Sequence, residues 1–162
     1  MTFMLSQASE EHLKGVDPRL ERCVRRAIAT TSVDFVVFEG LRSLERQQEL
    51  YRNGASRTLD SYHLTGHAVD LVPFLGGRAQ WQQPLCNQVA IAMREAAIAF
   101  DVPVTWGAVW DKPLRALDPT RMQTEIENYI ERYRMSHPPI RTQGEVHAPH
   151  PLIDGPHFQV AR

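Results

Sequence analysis

Ser61-Tyr62-His63-Leu64-Thr65-Gly66-His67-Ala68-Val69-Asp70 is the stretch on which the reading of this chain turns. It sets an imidazole, His63, and a carboxylate, Asp70, on either side of a glycine. Gly66 has no Cβ and lets the backbone turn tightly, so the two side chains can meet. A second stretch, Asp154-Gly155-Pro156-His157-Phe158, offers another carboxylate and another imidazole. Catalytic zinc takes three protein ligands and keeps a fourth position for water. His63 and Asp70 supply two, and His157 is the candidate third. Asp154 lies across a Gly-Pro turn from His157, a carboxylate beside the metal that need not bind it. Such a group can take a proton from an attacking water and pass it to a leaving amine. Each residue alone has a plainer role, since an Asp in a D-G-P turn is commonly a turn residue. His67 falls on the other side of the extended segment from Asp70. His137, His147 and His150 read as solvent-facing, with His147 or His150 near enough in a loop to swing toward the site.

Working outward, Asp17-Pro18 marks a helix start, with Asp17 as N-cap and Pro18 at the first helical position. The apolar spacing of Leu20, Val24, Ala27 and Ile28 predicts a helix over about 18–30. Residues 1–16 read as an irregular lead-in. Asp34 to Phe38 is β-branched and aromatic and predicts a strand. Ser43 caps a helix running to about Asn53, where Gly54 stops it. Ala68 to Val72 predicts a short strand closed by Pro73, and Pro84 opens the longest helix. Val102 to Trp106 predicts a strand. Asp118-Pro119 repeats the N-cap signal ahead of a helix to about Met135. The proline-rich stretch 136–153 reads as loop, and His157 to Val160 as a last strand. Helices and strands mix without a βαβ rhythm, so the class is α+β, a small and mostly antiparallel sheet with flanking helices.

At 162 residues the chain is expected to be one domain, with 43% hydrophobic and 23% charged residues as in ordinary globular proteins. A net charge of −1 argues against a general nucleic-acid binder and gives no sign of an electrostatic membrane anchor. Cys23 and Cys86 sit in predicted helices without a CxxC pattern and are expected to be buried free thiols. The N-terminus has no basic region or apolar run of signal-peptide length, so the cytoplasm is the expected first location.

The residues also resemble a known family. Ser61, His63, Gly66, Ala68 and Asp70 stand in the S-x-H-x-x-G-x-A-x-D form of zinc peptidases of the D-Ala-D-Ala carboxypeptidase and dipeptidase type. Asp154 to Phe158 resembles their closing D/E-x-x-H motif. Gly40-Leu41-Arg42-Ser43 through Gln47, Leu50 and Tyr51, then Gly54-Ala55-Ser56, is similar to a stretch of the phage L-alanyl-D-glutamate endopeptidases, which are endolysins. The resemblance runs from about Ser6 to Trp110 and resumes at Asp154. It implies the zinc D-Ala-D-Ala peptidase/hedgehog-like fold, Zn2+ bound by His63, Asp70 and His157, and Asp154 as the catalytic base. It implies that Arg42 binds or polarises substrate and that Ser61 lies by the substrate's carboxylate. A guanidinium suits that role because it can grip a carboxylate or oxyanion through two hydrogen bonds. The implied activity is hydrolysis of the L-Ala–D-Glu bond of the peptidoglycan stem. Two alternatives stay open: a D-Ala-D-Ala carboxypeptidase or dipeptidase, and a non-catalytic, zinc-stabilised wall-binding module. A monomer is expected, accumulating in the host cytoplasm and reaching the wall through a separate, holin-dependent membrane lesion.

The chain departs from that pattern twice. Many such endolysins carry W-G-G-D-W where this chain has Trp106-Gly107-Ala108-Val109-Trp110. An insertion at about 112–150 also separates the tryptophan stretch from the closing motif within the single catalytic domain, 1–162. Two readings of it stay open: a flap or an added side of the cleft, and a packed surface helix with no role in catalysis.

Overall fold

The structure, a computed structural model, describes residues 2–142 and 144–162. Met1 of the lead-in and Gln143 of the proline-rich stretch lie outside the described residues. The chain runs α1 (Gln7–Leu13), α2 (Pro18–Thr30), β1 (Phe35–Glu39), α3 (Leu44–Arg52), a 3-10 turn (Tyr62–Thr65), β2 (Ala68–Leu75), β3 (Arg78–Ala79) and α4 (Gln83–Ala99). It continues through β4 (Thr105–Trp106), β5 (Val109–Pro113), a 3-10 turn (Leu114–Ala116), α5 (Met122–Ser136), β6 (Ile140–Thr142), β7 (Glu145–His147) and β8 (His157–Gln159).

Among the described residues the main sheet is antiparallel throughout and ordered β1-β2-β8-β4-β5, with β3 added beside β2. The last strand in sequence is therefore inserted at the centre. Side chains alternate across a strand, and the alternation sorts the two faces. Val69, Leu71, Trp106, Phe158 and Val160 point into the core that α2 and α4 cover. Asp70 and His157 point to the opposite face, directly across from each other in the β2–β8 register. Each fully buried aliphatic or aromatic side chain on the core face contributes about 1.5–3 kcal/mol, so the register that fixes the core also fixes the polar pair.

The start of α2 is as expected. The Asp17 side chain accepts from the Arg19 backbone N–H at 2.9 Å, and Pro18 opens the helix. The Arg19 guanidinium also donates twice to that carboxylate, and this hydrogen bonding holds Asp17 below the usual carboxylate range. A folded-state pKa below the unfolded one means the stabilisation is present at neutral pH and fades as acid protonates the group. Asp17→Ala is expected to cost about 1 kcal/mol of unfolding free energy at pH 7. The deficit should shrink below about pH 4, as read by urea denaturation at both pH values.

Several expectations need correction. The lead-in contains α1, whose N-cap Ser6 accepts from the Ser9 N–H. Strand β2 does not close at Pro73 but runs to Leu75. Pro73 is tolerated because the β8 ladder, Ala68–Asp70, has already ended there. Only Thr105–Trp106 of the expected 102–106 strand is extended, because Val104 N–H turns back to the Val102 carbonyl across Pro103. Asp118 does not cap α5. Its carboxylate is taken by Thr120, through both backbone N–H and hydroxyl, and the helix starts at Met122. The 136–153 loop includes the exposed hairpin β6–β7. Cys23 and Cys86 are free and buried, as expected. Within the 112–150 segment, Leu114, Leu117, Met122, Ile126 and Tyr129 belong to the core. That half of the segment is built into the domain, and the exposed half is the hairpin.

Candidate metal centre and its cleft

His63 is placed by a short chain of local bonds. Ser61 caps the 3-10 turn, its hydroxyl accepting from the His63 N–H at 3.3 Å. Gly66 ends the turn in the left-handed region at φ 72°. A Cβ there would also lie 2.0 Å from the Gly15 carbonyl oxygen, so only glycine fits. The His63 carbonyl accepts from the Arg42 N–H at 2.9 Å. His63 Nδ1 lies 2.8 Å from the Gly40 carbonyl. A carbonyl only accepts, so Nδ1 carries the proton and Nε2 is left with its lone pair. That Nε2 lies 3.3 Å from Asp70 Oδ1.

His157 shows the same arrangement with the nitrogens exchanged. Its Nε2–H donates to Gln159 Oε1 at 2.9 Å, and its Nδ1 lies 3.2 Å from Asp70 Oδ1. The two rings meet edge to face, 5.2 Å between centroids. One ligand atom from each of His63, Asp70 and His157 falls within 4.8 Å of the others. Two imidazole lone pairs and a carboxylate aimed at one point repel unless a cation or a proton sits between them. The donor set, two nitrogens and one oxygen with each imidazole anchored through its other nitrogen, fits zinc. The same geometry acts on the protons. Burial raises the Asp70 carboxyl, but with the imidazoles protonated, hydrogen bonds from His157 and then His63 outweigh it and hold that group well below the carboxylate range. Burial lowers His157, and the bond to Asp70 overrides it upward.

Asp154 reaches the site through a tight turn. Its N–H donates to the Gly107 carbonyl at 2.9 Å, its carbonyl accepts from the His157 N–H at 3.2 Å, and the Gly107 N–H donates to the His157 carbonyl at 2.8 Å. Both indoles of the tryptophan stretch hold this segment: Trp106 Nε1–H donates to the Gly155 carbonyl at 2.7 Å and Trp110 Nε1–H to the Leu152 carbonyl at 3.0 Å. Burial, then the charge of Asp70, pushes the Asp154 carboxyl up. Gly107 packs closely against this turn. A Cβ there would meet the Asp154 carbonyl oxygen at 2.4 Å and His157 Cβ at 2.9 Å. Gly107→Ala is therefore expected to push the Asp154–His157 turn off the sheet and lower kcat by at least about tenfold, since small displacements of catalytic groups cost that much or more. Wild-type kcat in a folded Gly107→Ala protein would contradict this.

Arg42 is 9% exposed at the side chain, and its guanidinium is already engaged. Nε and Nη2 donate to the two Glu39 oxygens, and Nη1 donates to Gln47 Oε1 at 2.7 Å. Its Nη2 stands 3.9 Å from Asp70 Oδ2. The three candidate ligands, Asp154, Arg42, Ser61 and Trp110 all line one cleft of about 720 Å³. His67 lies outside that lining, bonded to Thr65 Oγ1 at 2.9 Å and 3.6 Å from Asp17. His147 and His150 are exposed and are not part of the cluster. Sequence reasoning missed Glu39, Gln47 and Gln159 as partners. Gln159 was within reach of it, because residues two apart on a strand share a face.

The family model described as phage L-alanyl-D-glutamate peptidase matches residues 1–131. The L-alanyl-D-glutamate peptidase of Escherichia phage T5 is 30% identical over 115 residues, which is 68% of this chain and 84% of that protein. The L-alanyl-D-glutamate peptidase of Listeria phage A118 is 28% identical over 81 residues, 50% of this chain and 28% of that protein. Among solved structures, the Serratia marcescens L-Ala D-Glu endopeptidase ChiX superposes with a TM-score of 0.68 at 36% identity, covering 98% of this chain and 90% of that one.

Proposed function

The chain belongs to the phage L-alanyl-D-glutamate peptidase family, and on that premise we propose that it hydrolyses the L-Ala–D-Glu bond of peptidoglycan stem peptides with a zinc ion held by His63, Asp70 and His157. The observation that carries the reading is the half-buried Asp154 on the same cleft as the three converging ligands. When bound, zinc lowers the pKa of a coordinated water and polarises the scissile carbonyl. Asp154 takes the proton of the attacking water and returns it to the leaving amine. Its raised pKa suits a group that must both accept and give up a proton.

Arg42 acts by holding charge beside Asp70, with its fork fixed on Glu39 and Gln47. Ser61, on the cleft wall, presents its hydroxyl near the substrate's carboxylate. The chain works as one catalytic domain, a monomer, with the 112–150 segment as an insertion. Among the described residues no helix is long and apolar enough to cross a membrane. In this reading the chain is an endolysin that waits in the host cytoplasm and reaches the wall through a lesion made by another protein.

Digesting purified wall with the protein, then identifying the new termini and the metal content, tests the reading. Free N-terminal D-Glu and about one zinc per chain are expected. Released D-Ala would instead assign a D-Ala-D-Ala carboxypeptidase or dipeptidase.

A further inference from the structure

Three cations line the cleft: Arg42, Arg46 and Arg57. Two are matched inside the protein. Arg42 is held by Glu39 and Gln47, and Arg46 Nη1 donates to Glu49 Oε2 at 2.6 Å. Arg57 is exposed and makes no side-chain hydrogen bond or ion pair among the described residues. Its backbone is nonetheless fixed. Gln47, fully buried at 0% exposure, donates from Nε2 to Ser56 Oγ at 2.9 Å and to the Thr58 carbonyl at 2.6 Å. Those are the residues on either side of Arg57. Ser56 Oγ in turn accepts from the Thr58 N–H at 3.3 Å, and the Ala55 and Ser56 N–H groups both donate to the Leu50 carbonyl. The same Gln47 accepts from Arg42, which stands 3.9 Å from Asp70. One buried amide thus ties the turn that carries Arg57 to the metal cluster.

A fixed turn that presents an unmatched guanidinium to a substrate cleft favours an anion there. The backbone needs no further ordering on binding, and the planar fork matches a carboxylate. We propose that Arg57 is a specificity-determining residue that binds a carboxylate of the stem peptide, with Gln47 as the positioning residue behind it. The inference rests on the endopeptidase reading above. Two carboxylates share this chemistry. D-Glu linked through its γ-carboxyl keeps a free α-carboxylate, and a diaminopimelate at the third position carries a second one.

The test assays wild type, Arg57→Ala and Arg57→Lys on three soluble muropeptides. They are the free acid, its D-Glu α-amide, and a peptide with lysine in place of diaminopimelate. On the free acid, Arg57→Ala is expected to raise KM about tenfold, as for loss of one exposed charge-assisted hydrogen bond. Its kcat should stay within about twofold of wild type, because uniform binding is what is removed. Arg57→Lys should recover part of the loss. On the substrate that lacks the bound carboxylate, wild type should show the same tenfold rise and Arg57→Ala should add nothing. If that substrate is the α-amide, Arg57 reads D-Glu; if it is the lysine peptide, Arg57 reads the third residue. Equal penalties on all three peptides, or wild-type KM in Arg57→Ala on the free acid, would overturn the assignment. A wild type that releases no N-terminal D-Glu from any peptide overturns the bond assignment as well, a result distinct from normal cleavage with an indifferent Arg57.

Discussion

Asp154→Asn is expected to lower kcat by about a thousandfold, within the range that removal of a general acid–base group produces, while the protein keeps its metal. The substitution holds volume and removes only the ability to accept a proton. The backbone of residue 154 makes the structural bonds, to Gly107 and to the His157 N–H, and a side-chain change leaves both in place. The proposed ligand atoms come from His63, Asp70 and His157, so metal analysis should give the wild-type content. A binding module with structural metal would have no use for a base at this position. Wild-type hydrolysis by Asp154→Asn would therefore reject the assignment of the base, and metal loss would show that Asp154 is a ligand. Asp154→Ala should behave alike in kcat, because the lost function is proton transfer and not packing.

How far the sequence could be read follows from how local each cause is. Asp17-Pro18 acts within one turn of α2, and Gly66 acts on its own φ, so both were legible. The two candidate ligand stretches were legible by residue type. What joins them was not: β8 enters between β2 and β4 and sets Asp70 opposite His157, a pairing of residues that no local pattern encodes. Helix α1 escaped because seven residues are too few to display a period. Asp118 misled because a free Asx turn and an N-cap share the same residue preference, and Thr120 won the carboxylate. Arg42 shows the limit most clearly. Residue type gives it a fork suited to a carboxylate, but the carboxylate it grips is Glu39 of its own chain. Of the three arginines on the cleft, Arg57 is the one left unmatched among the described residues, and only the completed bond network singles it out.

The 112–150 segment divides along similar lines. A helix reaching about Met135 was readable from the sequence, and its Met122, Ile126 and Tyr129 side chains set what the segment does. These side chains, with Leu114 and Leu117, complete the core, and the Arg132 guanidinium locks onto both Asp111 oxygens at 2.6 and 2.8 Å. Excising 114–148 would remove core as well as any flap, so a probe of wall specificity has to be confined to the exposed β6–β7 hairpin.

Metal removal should separate fold from function. Chelation is expected to abolish hydrolysis, and stoichiometric zinc should restore it. A ligand present at about 1,000 times its Kd adds about 4 kcal/mol to the folded state. For a domain of this size that corresponds to a fall in Tm of roughly 10 °C on stripping. The metal-free chain should still fold, because every group of the cluster has another partner. His63 keeps the Gly40 carbonyl and His157 keeps Gln159, and a proton taken up between Asp70 and an imidazole relieves the repulsion there. His157→Ala removes a proposed ligand and the cross-strand partner of Asp70 together. It should give the stripped protein's inactivity in zinc-containing buffer, with a Tm at or below that of the stripped wild type. Calorimetry on stripped and reloaded protein, with kcat measured on the same samples, reads both effects. Full hydrolysis by a chain shown to be free of metal would remove zinc from the mechanism. Zinc-restorable activity in His157→Ala would mean that a residue outside the cluster can complete the site, and the exposed His147 and His150 would be the first to test.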